Sequence, residues 1–79
     1  MRDVEIRFMG PVRRPAGLKS LDRVGLEDGA TVESFLAALG YGDTDRARIR
    51  VILDGRPLAR HEVLDTASSL TLFLPLGGG

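Results

Sequence analysis

The sequence predicts a small α+β domain in which one helix packs against a mixed sheet. Three observations lead to this prediction. Residues 4–8 alternate apolar and charged side chains, as in a strand with one buried face. Residues 31–40 repeat apolar side chains at the spacing of one helical face. Residues 49–58 read as a strand, an Asp-Gly hairpin turn and a short return strand.

The first strand is predicted to place Val4, Ile6 and Phe8 on the core side, because alternate side chains of a strand point to opposite faces. Glycines and prolines within residues 10–17 then interrupt regular structure, since proline cannot donate to a strand ladder. We therefore expect a loop there, with Arg13 exposed.

A weaker second strand is predicted over residues 20–26. Val24 and Leu26 share one face of this strand, whereas Leu21 has the opposite parity. Gly25 fits a bulge, which is where a glycine inside a strand is often found.

The helix is predicted to begin after Thr31, whose side chain is a good N-cap. Its apolar residues recur at i, i+3, i+4 and i+7, and they are Val32, Phe35, Leu36 and Leu39. Gly40 follows where a left-handed C-cap residue is expected. Residues 41–48 are polar, and we interpret them as a solvated, self-neutralising connection.

The second half of the chain completes the sheet. Asp54-Gly55 predicts a tight hairpin, and Pro57 restricts the return strand to a sheet edge. Residues 70–74 predict a last strand, which can pair in parallel with the first. This order of elements is the β-grasp arrangement, with four to five strands, one main helix at about 31–40, and a single domain over residues 1–79. Residues 76–79 are expected to form a flexible tail.

Side-chain parity predicts a docking surface on the sheet. Val51 and Leu53 are expected in the core. In the last strand, the side chains expected to face the helix are those of Leu70, Leu72 and Leu74. Ile52 and Phe73 would then lie together on the outer face as an exposed apolar patch. The alternative is that the loop over residues 10–17 covers one of them.

The amino-acid composition excludes most kinds of catalytic site. The 79 residues contain 11 basic and 11 acidic side chains, no cysteine and one histidine. We therefore expect no metal site, no bound cofactor, and no electrostatic attraction to nucleic acid or membrane. Met1 is followed by charged residues rather than an apolar signal segment, which favours a cytoplasmic protein.

Two known families resemble this sequence. Residues 51–58 and 69–79 are similar to the second half of ubiquitin. The first loop resembles the MoaD branch of the MoaD and ThiS sulfur carriers, whose pattern F-x-G-x-x-R-x-x-x-G is matched by Phe8, Gly10, Arg13 and Gly17. The tail of that family, often P-P-V-x-G-G, is matched by Pro75, Leu76, Gly78 and Gly79. Leu74, Gly77 and Arg14 depart from the family patterns, but the diglycine is retained.

The resemblance implies that the chain is a substrate rather than an enzyme, or the small subunit of a synthase. A ubiquitin-activating type of adenylating enzyme, using ATP, would activate the carboxylate of Gly79. Gly78 would form the reacting end of the chain together with Gly79. The residues that bind the activating enzyme would be Gly77, Leu76, Pro75, Phe73, Ile52 and Arg13. Glycines suit this role because they give a thin backbone with wide conformational freedom.

Two fates of the activated carboxylate follow from the two resemblances. In a sulfur carrier, the adenylate becomes a thiocarboxylate that donates sulfur to a synthase of molybdopterin or thiamine type. In a protein modifier, Gly79 is instead joined to lysines of target proteins. A binding module whose tail has no role is a third hypothesis. Under all three hypotheses, we expect the free protein to be a monomer.

Overall fold

Five strands form one mixed sheet in the computed structural model, which describes residues 2–75 of the chain. The strands are β1 (Arg2–Met9), β2 (Leu21–Leu26), β3 (Arg50–Leu53), β4 (Arg56–Pro57) and β5 (Ser69–Phe73). Two helices, α1 (Val32–Ala38) and α2 (Asp43–Arg48), lie between β2 and β3 in sequence. The strand order is β2-β1-β5-β3-β4, with β1 parallel to β5 and the other pairs antiparallel. Within residues 2–75, no helix is long and apolar enough to cross a membrane.

The centre of the sheet is the parallel pair β1 and β5. Ile6 pairs with Leu70 and Phe8 with Leu72, and all four side chains are buried. Val4 on β1 is buried as well, which confirms the predicted core face of the first strand. Burial of large apolar side chains on these two adjacent strands supplies much of the hydrophobic stabilisation of a small domain.

The second strand follows the predicted parity but contains no bulge. Leu26 is buried and Val24 is half-buried, whereas Leu21 is 48% exposed on the other face. Gly25 pairs with Asp3 in an uninterrupted register from Arg2↔Leu26 to Arg7↔Leu21. The bulge proposed at Gly25 is therefore wrong: no extra residue is inserted, and the glycine occupies an ordinary exposed position.

Helix α1 begins and ends as the sequence predicts. Thr31 and Ser34 form a reciprocal capping box, in which the Ser34 backbone N–H donates to Thr31 Oγ1 at 3.1 Å. Val32, Phe35 and Leu36 are buried, and Leu39 packs partly against the same core. Gly40 follows with φ of 101°, a left-handed conformation that glycine adopts without strain.

Residues 41–48 differ from the predicted connection, because Asp43–Arg48 form helix α2. The helix buries none of its side chains, so its sequence has no apolar periodicity to reveal it. Acidic residues in its first turn and basic residues in its last turn complement the helix dipole. Arg46 bonds to Glu33 of α1 at 3.1 Å, and this contact lowers the pKa of the Glu33 carboxyl. Arg46 also forms an ion pair with Asp43, so the expected neutralisation of charge within the segment is observed, but on a helical backbone.

The hairpin between β3 and β4 has the predicted geometry. Asp54 and Gly55 both have positive φ, at 53° and 80°, as a type I′ turn requires. Pro57 ends the two-residue strand β4 at the edge of the sheet, where a missing backbone N–H costs no ladder hydrogen bond.

Replacing Phe35 with alanine is expected to lower the free energy of unfolding by about 3 to 5 kcal/mol, because the substitution leaves a cavity beneath α1. The side chain is only 3% exposed and belongs to the central core. Chemical denaturation measures the change. The exposed replacement Ala38→Ser on the same helix should cost less than about 1 kcal/mol. An equally small effect of Phe35→Ala would contradict the observed packing.

Candidate functional site

An apolar groove lies on the outer face of the sheet, at the end where the chain leaves β5. Its volume is about 700 Å³. It is lined by Met9, Gly10, Pro11, Ile52, Gly55, Thr71, Phe73, Leu74 and Pro75. The hydroxyl of Thr71 is the one polar side-chain group in this set. The groove is therefore suited to an apolar side chain of a partner rather than to a charged small molecule.

Strand register explains how these residues meet. Met9 pairs with Phe73 across the parallel β1–β5 ladder, and Ile52 pairs with Thr71 across the antiparallel β3–β5 ladder. Each lies one residue from a buried core position, so each points to the opposite face of the sheet. Ile52 and Phe73 accordingly lie on the outer face, as their parity predicts.

The predicted exposed patch is partly enclosed. Ile52 and Phe73 are both half-buried rather than exposed, because Met9, Gly10 and Pro11 form one wall of the groove beside them. The beginning of the loop therefore flanks the pair and covers neither residue completely. This arrangement lies between the two alternatives that the sequence left open.

Leu74 departs from its predicted position. The strand ends at Phe73, so alternation no longer fixes the direction of the next side chain. Leu74 is half-buried, packs against the edge of the core and also lines the groove with Pro75. Leu76, Gly77, Gly78 and Gly79 lie outside the residues that the structure describes.

Arg13 does not line the groove. Its guanidinium is 3.0 Å from the carboxylate of Asp45 and lies over the ring of Tyr41, 5.9 Å from the ring centroid. The exposed loop position that the sequence predicts is correct, since the side chain is 68% exposed. Of the binding residues predicted within the described chain, the groove thus brings together Pro75, Phe73 and Ile52, but not Arg13.

Sequence reasoning missed several groove residues. Met9 follows the buried Phe8, so alternation places Met9 on the outer face. The β1–β5 register then places it beside Phe73. Thr71 follows from the same rule applied to Leu70 and Leu72. Gly10 and Pro11 carry no such signal, because a loop has no side-chain period.

Two arginines occupy outer-face positions of the sheet near the groove. Arg7 pairs with Thr71 and Arg50 pairs with Phe73, so both arginines belong to the outer face. Among residues 2–75, neither forms an ion pair with a carboxylate. The Arg50 guanidinium donates to the carbonyl of Ala47 at 3.3 Å. This bond holds the Arg50 guanidinium against α2 rather than beside the groove.

The described chain holds no group of three or more His, Cys, Asp or Glu side chains placed to bind a metal. His61 is exposed in the turn that precedes Glu62. Near the groove, Thr71 has no histidine or carboxylate hydrogen-bonded to its hydroxyl in residues 2–75. The geometry offers a surface for association beside Pro75, and no acid–base pair for chemistry within the groove.

Comparison with known proteins supports the architecture. No protein-family model and no curated protein sequence matches the chain. Among solved structures, it is similar to the crystal structure of SAMP1 from Haloferax volcanii, with a TM-score of 0.69 and 27% sequence identity. The match covers 99% of this chain and 100% of that one, so the similarity spans the whole domain. The predicted α+β fold of β-grasp type is thereby confirmed, and the chain is a small protein with a ubiquitin-like fold.

Proposed function

We propose that this chain is a sulfur carrier of MoaD or ThiS type. In this proposal, an activating enzyme adenylates the carboxylate of Gly79, which is then converted to a thiocarboxylate for cofactor biosynthesis of the molybdopterin or thiamine type. The observation that carries the proposal is the position of the groove. It is lined at one end by Pro75, the residue directly before the glycine-containing tail.

A partner that docks in the groove stands beside the start of the tail. Four extended residues from Leu76 to Gly79 span at most about 13 to 14 Å. Docking on the sheet therefore places the carboxylate within reach of a site on the same partner, and it converts the encounter into an intramolecular step. The apolar contacts of Ile52 and Phe73 supply affinity, while the tail supplies the reacting group.

The chemistry needs no catalytic side chain from this protein. A carboxylate oxygen of Gly79 attacks the α-phosphorus of ATP, pyrophosphate leaves, and an acyl-adenylate forms. A sulfide donor then attacks the acyl carbon and AMP leaves with the bonding electron pair, so one tail oxygen has been replaced by sulfur. The activating enzyme provides positioning and charge stabilisation for both steps.

Arg7 contributes selectivity to this encounter. It occupies an outer-face position beside Thr71 without a carboxylate partner in the described chain, so an acidic rim on the activating enzyme would complement it. Such contacts mainly raise the rate of association and depend on ionic strength.

Conjugation to proteins is the second candidate. Residues 51–58 and the glycine tail, which are similar to ubiquitin, favour it. The steps up to the acyl-adenylate are shared, and the branches separate when the acyl group passes to sulfur or to a lysine amine. The single lysine, Lys19, leaves little scope for lysine-linked polymers of the chain itself.

The double variant Ile52→Asp and Phe73→Asp is expected to raise the KM of the activating enzyme for this protein by at least tenfold, because two carboxylates replace the apolar contacts at the centre of the docking surface. Steady-state adenylation assays measure the effect. The control is Leu21→Asp with Val63→Asp, which introduces the same charges at positions that are 48% and 53% exposed and outside the groove. Equal KM values for the two double variants would contradict docking in the groove.

Deletion of Gly79 is expected to leave folding intact and to reduce adenylation by at least about a hundredfold. The carboxylate is withdrawn by about 3.3 to 3.6 Å, and misplacement near 1 Å already has an effect of that size. A variant with one glycine added after Gly79 should also react poorly, because the addition displaces the carboxylate outward. Activation of the shortened chain at the normal rate would exclude Gly79 as the reacting residue.

Intact-protein mass spectrometry separates the two candidate functions. A sulfur-for-oxygen mass change after incubation with ATP, activating enzyme and sulfur donor supports the carrier. Covalent adducts on lysines of other proteins support the modifier instead.

A further inference from the structure

The wall of the groove belongs to the loop between β1 and β2, which has few attachments. Gly10 and Pro11 line the groove, and Val12 beyond them is buried. The next residue, Arg13, is exposed, but its backbone carbonyl accepts a hydrogen bond from the hydroxyl of Tyr41. This bond ties the loop to the helical side of the molecule, only two residues beyond Pro11.

Tyr41 is a rigid anchor for that bond. It is 3% exposed, its backbone N–H donates to the carbonyl of Leu36 at 3.3 Å, and its own carbonyl accepts from the Arg46 guanidinium at 2.6 Å. Burial raises the pKa of the Tyr41 hydroxyl, which therefore keeps its proton and remains a donor. The position of the hydroxyl is set by the ends of both helices.

The side chain of Arg13 provides a second, weaker attachment. Its ion pair with Asp45 of α2 is 3.0 Å long, but the two side chains are 68% and 41% exposed. Ion pairs this exposed contribute little because water and salt screen them. The guanidinium also lies over the Tyr41 ring, 5.9 Å from its centroid. The hydroxyl bond is therefore the main attachment between Tyr41 and the loop.

We propose that Tyr41 is a positioning residue for the docking groove: its hydroxyl holds the loop so that Gly10 and Pro11 form the wall beside Phe73. This inference rests on the proposed function for the identity of the docking partner. Tyr41 itself does not line the groove and acts through the loop. Loss of the hydroxyl lets the loop sample positions without this wall, and the apparent affinity falls with the population that is competent to bind.

The test is Tyr41→Phe, which retains the buried ring and removes the hydroxyl. In the free protein, ¹⁵N order parameters at Gly10, Val12 and Arg13 should fall below those of β1, and the Phe73 ring and Ile52 methyl resonances should shift. With the activating enzyme, KM should rise about two- to tenfold, the range that one hydrogen bond supports, while kcat stays unchanged.

The matched control is Ser34→Ala, which removes a hydroxyl from the α1 capping box. It should lower stability by a similar amount, and it should leave the order parameters of the loop and KM unchanged. A purely structural role of Tyr41 would make the two variants behave alike, and that result would overturn the proposal. If Tyr41→Phe fails to fold, 4-fluorophenylalanine at position 41 fills the space of the hydroxyl without donating a hydrogen bond; wild-type loop dynamics in that variant would then overturn the proposal.

The two readouts also separate this inference from the proposed function. Changed loop dynamics with no adenylation of any variant would support the positioning by Tyr41 and reject the sulfur-carrier assignment. Unchanged dynamics with normal adenylation would reject the positioning alone.

Discussion

The parallel pairing of β1 with β5 is the constraint on which the rest of the structure depends. It joins the first strand to the last and buries Ile6 beside Leu70 and Phe8 beside Leu72. The same register places Met9 beside Phe73 on the other face. A slip of one residue would exchange the two faces of a strand, so the core and the groove cannot be specified independently.

Local periodicity was sufficient to predict most elements of the fold. Alternation identified β1 and β5, helical spacing with Thr31 and Gly40 located α1, and Asp54-Gly55 located the hairpin. These signals work because each element has one buried face. Gly25 was misinterpreted because the sequence shows that a glycine is present, but not whether the partner strand continues opposite it.

Helix α2 and Tyr41 show where this reasoning fails. The helix buries no side chain, and its stabilising contacts run from Arg46 to Glu33 and to the backbone of Tyr41. The contact between Arg46 and Glu33 joins the two helices, so no short sequence pattern encodes it. The groove wall at Gly10 and Pro11 likewise has no short sequence pattern that would reveal it. The parity of Ile52 and Phe73 could be predicted, but their partial enclosure by a loop could not.

The chemistry of the tail was predicted from the resemblance to ubiquitin and to the sulfur carriers, and it concerns residues outside the described structure. What the structure adds is the site next to the tail. The groove and Pro75 lie at the end of the sheet where the chain leaves β5. Arg13, assigned to binding by resemblance, lies outside the groove and contacts Asp45 and Tyr41.

The edges of the sheet have a consequence for behaviour at high concentration. On one side, β4 is two residues long and contains Pro57, which has no N–H to offer to a strand of another molecule. On the other side, β2 carries the charged residues Asp22 and Arg23. Neither edge provides a long apolar template for edge-to-edge polymerisation. An apolar groove can therefore lie open on the face of the sheet while the edge strands resist the stacking that leads to aggregates.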